Sequence, residues 1–150
     1  MECRAAIVVL VSKNGRILVI KRKESPNDPW SGHIAFPGGR REGSETCDET
    51  AVRECIEEVG IKPRLVKDLG IYFPNNAPDM KVRAYLGCVD EEFIPQIQKD
   101  EVDMAIWINP KQLESRNDEF YYNGFRIWGM TFRILKDVLE KRFYEECLKK

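Results

Sequence analysis

Gly38-Gly39-Arg40-Arg41-Glu42-Gly43-Ser44-Glu45-Thr46-Cys47-Asp48-Glu49-Thr50-Ala51-Val52-Arg53-Glu54-Cys55-Ile56-Glu57-Glu58-Val59-Gly60 is the stretch from which the rest of the chain can be read. Its second half predicts a helix from roughly Thr46 to Val59, ended by Gly60, which enters the left-handed conformation without a Cβ penalty. At about 100° per residue, with Glu54 at zero, Glu57 falls about 60° to one side and Glu58 about 40° to the other. The three carboxylates therefore share one face. Val52, Cys55, Ile56 and Val59 make the opposite face, which is expected to be buried.

An acidic run is ordinarily a solvated face. Here Glu54 and Glu58 are like charges one turn apart, and Glu57 and Glu58 sit near the helix C-terminus, where the macrodipole disfavours anions. A bound cation reverses both penalties, and oxygen-only ligands select Mg²⁺, Mn²⁺ or Ca²⁺ over zinc. The helix alone leaves both readings open. Ahead of it, Pro37-Gly38-Gly39 lets the backbone approach a ligand closely, and its carbonyls can join a metal shell. A Gly-Gly pair by itself is an ordinary turn, but this one leads straight into the carboxylate helix.

Outward from this segment, Ala5 to Val11 is an almost continuous apolar run and reads as a buried strand. Asn14-Gly15 predicts a hairpin turn to a return strand over Ile17 to Arg22. Residues 23–31 form a loop dense in turn residues, and His33 to Phe36 a short strand. Further strands are expected near 65–73, 80–89 and 103–108, with a helix start at Asn109-Pro110 and a short strand from Phe125 to Trp128. Thr131 to Leu148 reads as one helix whose stripe of Leu135, Val138, Leu139 and Phe143 packs on the core. Strands and helices mix without strict alternation, which predicts a mixed sheet flanked by helices in one domain over 1–150.

Composition excludes several classes. Hydrophobic residues make up 43% of 150, as in a globular chain, and no apolar run approaches a membrane span. The N-terminus lacks the pattern of a signal peptide. A net charge of −1 gives no general attraction to a nucleic-acid backbone. Cys3, Cys47, Cys55, Cys88 and Cys147 are odd in number and scattered, so reduced thiols and a cytoplasmic location are expected, without zinc.

At this point the chain resembles a known family. The Nudix box reads Gly-x5-Glu-x7-Arg-Glu-U-x-Glu-Glu-x-Gly-U, where U is bulky and aliphatic. Gly39, Glu45, Arg53, Glu54, Glu57, Glu58, Gly60 and Ile61 stand at those positions, with Cys55 as a small hydrophobe at the first U. The resemblance implies an α+β fold, an α/β/α sandwich around a mixed β-sheet with the box as loop–helix–loop. It implies hydrolysis of a nucleoside diphosphate linked to another group, with Mg²⁺ or Mn²⁺ as cofactor. Glu54, Glu57 and Glu58 resemble the metal-binding carboxylates, and Gly38 or Gly39 would lend a carbonyl. Arg53 would hold Glu45 and orient the helix carboxylates. Glu101 resembles the later-loop carboxylate that serves some members as base, with Asp100 and Asp103 as weaker alternatives.

The box does not select the second group. Gly32-His33-Ile34-Ala35-Phe36-Pro37-Gly38-Gly39 resembles the end of the coenzyme A pyrophosphatase signature, and Leu18 and Arg22 resemble its start. Ile127-Trp128-Gly129-Met130-Thr131 resembles a segment common in that subgroup. The signature's middle arginine is absent, with Asn27-Asp28 in its place. Coenzyme A or a derivative is thus one expected substrate, beside ADP-ribose, dinucleoside polyphosphates and (deoxy)nucleoside triphosphates, with Arg22, Gly38 and Glu45 as substrate-side residues. Tyr72, Phe73, Trp30 and Tyr85 could stack on a base, although core or ordinary surface packing is the better account of each. His33, the only histidine, reads as structural. A non-catalytic nucleotide-binding module is the alternative of another class; it would tolerate loss of the carboxylates, all of which are present. Small-molecule nucleotides are the expected partners, with no nucleic acid and no membrane. Many relatives are homodimers, and the aromatic C-terminal third could supply such an interface.

Overall fold

The computed structural model describes residues 2–26 and 32–148. The readings of Asn27, Asp28 and Trp30 lie outside them. Strand β1 (Ala5–Ser12) is buried along its whole length, as a run of alanine, valine, isoleucine and leucine requires when both faces are covered. It pairs in parallel with β6 (Val82–Val89) from Ala5↔Val82 to Ser12↔Val89. On its other side it meets β2 (Ile17–Arg22) at Val11↔Ile17 and β4 (Gly38–Arg40) at Ala5↔Arg40, both antiparallel. Adding β3 (Ile34–Ala35), β5 (Arg64–Tyr72) and β7 (Val102–Ile108) gives a seven-stranded mixed sheet of order β3-β2-β1-β6-β5, with β4 on β1 and β7 on β2.

The two faces of β1 define two cores. Ala6, Val8 and Leu10 pack with Cys47, Ala51, Cys55 and Val59 of helix α1 (Cys47–Val59). Ile7, Val9 and Val11 pack with Ile134, Leu135 and Val138 of helix α2 (Gly129–Glu140). This is a mixed α+β sandwich with one helical layer on each face.

Helix α1 begins with a full capping box: Thr46 accepts from Glu49 N–H, and the Glu49 carboxylate accepts from Thr46 N–H. It ends at Gly60, with φ at 71° and its N–H donated to the Ile56 carbonyl. The expected buried face is corrected. Ile56 is 43% exposed and Val52 half-buried, whereas Glu58 is 1% exposed. The buried stripe follows Cys47, Ala51, Cys55 and Glu58–Val59, about one turn apart, and leaves Ile56 facing water.

Two further expectations are corrected. The last helix is not continuous: α2 stops at Glu140, Arg142 turns left-handed, and Phe143–Cys147 is 3₁₀. The five thiols are not all free. Cys3 pairs with Cys47 and Cys88 with Cys147, leaving only Cys55 unpaired and buried. The Cys88–Cys147 bond ties this 3₁₀ segment to β6, against which it packs. Asn109-Pro110 starts only a single 3₁₀ turn, Pro110–Gln112, with the Asn109 side chain accepting from Lys111 N–H.

A second sheet goes beyond the single short strand expected from Phe125 to Trp128. β8 (Glu114–Arg116), β9 (Glu119–Tyr122) and β10 (Phe125–Ile127) form an antiparallel meander. Asn117-Asp118 and Asn123-Gly124 make its turns, all four residues at positive φ. Among the described residues, no helix is long and apolar enough to cross a membrane.

Candidate active site

The N-terminal half of β1, the β4 glycines and the C-terminal half of α1 meet at one end of the sheet, beside a cavity of about 550 Å³. Gly38 has no room for a side chain, because a Cβ there would stand 2.4 Å from the Ala6 carbonyl oxygen. Its N–H donates to Glu58 Oε1 at 2.8 Å, which fixes that buried carboxylate at the cavity wall. A Cβ on Gly39 would meet Glu54 Oε2 at 2.0 Å, so the glycine backbone and the Glu54 carboxylate lie directly against each other.

Glu54, Glu58 and Glu101 each offer an oxygen, and these oxygens all lie within 4.8 Å of one another. Burial is the main reason that Glu54 is pushed up to about 7, reinforced by Glu57 and Glu101 and opposed by Arg53. Burial likewise pushes Glu58 up to about 8, opposed by the Gly38 N–H and by Arg22, whose Nη1 lies 3.8 Å from Glu58 Oε2. Carboxyl groups are thus crowded together in low dielectric, where ionising them side by side is unfavourable without added positive charge. A hard divalent cation is the partner that this oxygen-only set fits.

Glu101 arrives from another part of the chain. Gln96 N–H donates to the Val59 carbonyl and Gln98 N–H to the Glu58 carbonyl, stitching the loop before β7 to the end of α1. Glu101 N–H bonds back to Gln98, and its carbonyl accepts from Lys23 N–H. Asp100 also lines the cavity.

Arg53 organises the outer side of α1. Its Nε and Nη2 grip the two oxygens of Glu45 at 2.5 and 3.0 Å, and Nη2 also donates to the Arg40 carbonyl. Nη1 reaches Glu54 at 3.0 Å and both oxygens of Glu57 at 3.2 Å. The grip of Arg53 holds Glu45 down at about 2. The residues expected at the site therefore divide. Glu54, Glu58, Glu101, Gly38, Gly39 and Arg22 line the cavity. Glu57 is half-exposed and turned to Arg53, and Glu45 lies outside the cavity, where it anchors Arg53 and accepts from Thr50 and Glu42 N–H.

Of the four expected stacking residues, the three that lie among the described residues are not at the site. Tyr72 donates to Asp137, Tyr85 is buried, Phe73 is exposed on the surface, and none of the three lines the cavity. The wall opposite the carboxylates is instead built from Phe36, Asn75, Met80, Trp128, Met130 and Thr131. His33 packs edge-on to Trp128, with ring centroids 4.9 Å apart. The Trp128-Gly129 pair ahead of an amphipathic helix is the sequence signal for this wall; Asn75, on the loop after β5, had none.

Similarity to known proteins agrees with this arrangement. Residues 1–126 match the model of the NUDIX domain. The chain is 40% identical over 81 residues to an ADP-ribose pyrophosphatase of Methanocaldococcus jannaschii, covering 54% of this chain and 44% of that protein. It is 32% identical over 151 residues to a probable nudix hydrolase of Schizosaccharomyces pombe, covering 88% and 52%. The chain thus spans about half the length of these curated relatives. In fold it is similar to a MutT protein of Methanosarcina mazei, with a TM-score of 0.68 and 16% identity over 93% of this chain and 94% of that one. The matched residues run from before β1 into β10 and carry the glycine turn, the Arg53 clamp and Glu101 together, and on that extent the chain belongs to the NUDIX domain family.

Proposed function

We propose that this protein is a divalent-cation-dependent hydrolase that cuts the diphosphate linkage of a nucleoside diphosphate joined to another group. The observation that carries the reading is the meeting of Glu54, Glu58 and Glu101, oxygens within 4.8 Å, at the wall of a cavity that also presents Arg22, Lys23 and Arg40. Glu54, Glu58 and the Gly39 carbonyl would hold Mg²⁺ or Mn²⁺; Glu57 becomes a ligand only if its side chain leaves Arg53. Such a cation, when bound, neutralises phosphate charge and lowers the pKa of a coordinated water.

The chain's own residues do the rest. Arg22, Lys23 and Arg40 face the cavity and screen the phosphate oxygens, which otherwise repel a water nucleophile. Gly38 and Gly39, bare of side chains, let the β4 backbone lie directly against β1 and the Glu54 carboxylate, which keeps the Gly39 carbonyl beside the acidic cluster. The Glu101 carboxylate, exposed and pinned to α1 through Gln98, accepts the proton of the attacking water as the water oxygen bonds to phosphorus, and the bridging P–O bond breaks, its oxygen leaving on the other phosphate. Arg53 holds Glu54 in register without touching the substrate.

For the second group, coenzyme A or a derivative is supported by motif: the Gly32–Gly39 and Ile127–Thr131 segments both contribute cavity walls. ADP-ribose is supported by the name of the Methanocaldococcus relative. The test is phosphate release after phosphatase coupling, with coenzyme A, ADP-ribose, dinucleoside polyphosphates and nucleoside triphosphates, with and without EDTA. Turnover that EDTA abolishes and that Glu101→Gln lowers by about 10²-fold or more at similar KM is expected. Turnover indifferent to EDTA refutes the cation; binding with no turnover of any nucleotide favours the non-catalytic module.

A further inference from the structure

We infer that the start of α2 is a second anion site in this cavity, built to take a phosphate monoester that the substrate carries away from its scissile diphosphate. The nature of the substrate rests on the hydrolase reading; the anion site rests on geometry of its own. It also lies beyond the residues that match the family model, which end at 126.

Helix α2 has twelve residues, and Trp128 at its N-cap makes no side-chain capping bond. The first N–H to bond back is that of Phe132, to the Trp128 carbonyl at 3.3 Å. The N–H groups of Gly129, Met130 and Thr131 are therefore left at the positive end of the helix, and no acidic residue occupies that turn. All three residues line the cavity.

An uncapped helix start alone is common. Here a second feature points to a ligand. Thr131 is 8% exposed and lines the cavity, and its hydroxyl makes no hydrogen bond to any described residue. Among the described residues Arg83 Nε is the one sealed side-chain polar atom without a partner, so the Thr131 oxygen, on an otherwise buried residue, is open to the cavity. Asn75 adds a third donor. Its Oδ1 accepts from Arg133 Nη1 at 2.6 Å, which leaves Nδ2 as the outward end. That nitrogen stands 3.5 Å from where a Cβ on Gly129 would be, so the missing side chain opens space between amide and helix. Arg133 also donates to the Phe73 carbonyl and so holds the Asn75 loop against α2 as a positioning residue.

Backbone N–H, hydroxyl and amide N–H donors thus line one wall of the cavity without a carboxylate among them, the donor set a phosphate selects. This pole is distinct from the carboxylate pole, because α1 and α2 lie on opposite faces of the sheet. A cavity of about 550 Å³ holds one nucleotide spanning both. The class indicated is a nucleotide with a ribose phosphate beside its diphosphate.

The test is calorimetric titration in Mg²⁺ buffer with adenosine 5′-monophosphate, the 3′,5′- and 2′,5′-bisphosphates, and inorganic phosphate. Wild type should bind one bisphosphate about tenfold or more tighter than the monophosphate. That ratio should fall to near one in Thr131→Val and in Asn75→Asp and return in Thr131→Ser. Equal affinity for mono- and bisphosphates overturns the site. So does a ratio that both substitutions leave intact, or inorganic phosphate binding as tightly as the bisphosphate. No turnover enters this measurement, so failure of the hydrolase reading would be seen separately in the substrate panel.

Discussion

Replacing Arg53 should damage stability and turnover together, and replacing it by lysine should damage turnover nearly as much. The guanidinium makes a forked pair to Glu45, a bond to the Arg40 carbonyl, and contacts to Glu54 and Glu57. The forked pair, with both side chains only about a fifth exposed, is worth about 2 kcal/mol, and the carbonyl bond about 1 kcal/mol. The half-exposed Glu57 contact adds a few tenths at most, roughly. Arg53→Ala should therefore cost about 3 kcal/mol, or roughly 6–12 °C in Tm for a domain of this size. Lysine restores one charge but cannot fork to Glu45 and reach Glu54 at once. Arg53→Lys should recover about half the stability, yet stay at least about tenfold down in kcat, because Glu54 loses its orientation. Urea unfolding and steady-state kinetics across a Mg²⁺ titration measure both. An Arg53→Lys enzyme with normal kcat would show that Arg53 supplies charge alone and would refute the positioning argument.

Two further predictions follow from burial and connectivity. Without divalent cation, Glu54 and Glu58 sit raised to about 7 and 8, above the 4.5 of a free carboxyl. Stability from their protonated forms is then fully present below about pH 4.5 and is lost as pH rises through 7 to 8. In EDTA the unfolding free energy should fall by about 2 kcal/mol or more from pH 5 to 8.5; Mg²⁺ should restore it and Glu58→Gln should flatten it, whereas a rise over that range in EDTA would contradict the placement of these groups. Thiol titration of the protein unfolded without reductant should find one thiol, Cys55, and five after reduction. Breaking either bridge, which close separations of 44 and 59 residues, should cost about 2–4 kcal/mol, and five thiols without reductant would remove both bridges from the account.

What the sequence disclosed about this site depended on how local the determining interaction is. Helix α1 was legible to within a residue because its ends are written locally, in Thr46 and Glu49 at one end and Gly60 at the other. The grip of Arg53 on Glu45 came from the resemblance rather than from helical geometry, since the two are eight residues apart and meet only after the loop closes. Pairing of the cysteines was invisible because β1 and α1, and β6 and the chain's end, are brought together by the sheet and not by spacing. The β8–β10 meander carried a readable signal in Asn123-Gly124, but the preceding strands are too short to show an alternation.

The same distinction explains why the three glutamates do not behave as a set. On a helical wheel Glu57 and Glu58 flank Glu54 almost symmetrically, and nothing local separates them. The difference is made by what lies across from each. Glu58 faces Gly38, whose bare backbone lets a buried carboxylate receive an N–H at 2.8 Å. Glu57 faces the guanidinium of Arg53, one turn back on its own helix, and stays in water. Burial then raises Glu58 and leaves it in need of a cation, whereas Glu57 already has its counter-charge. A glycine twenty residues upstream of Glu58 therefore decides which of two adjacent, chemically identical side chains becomes buried. The far wall follows the same logic: Thr131 and Asn75 acquire a shared role only because Arg133 holds the loop after β5 against α2. Residue type limits what chemistry a position can offer, and the surface brought opposite to it determines whether that chemistry is spent within the protein or left for a ligand.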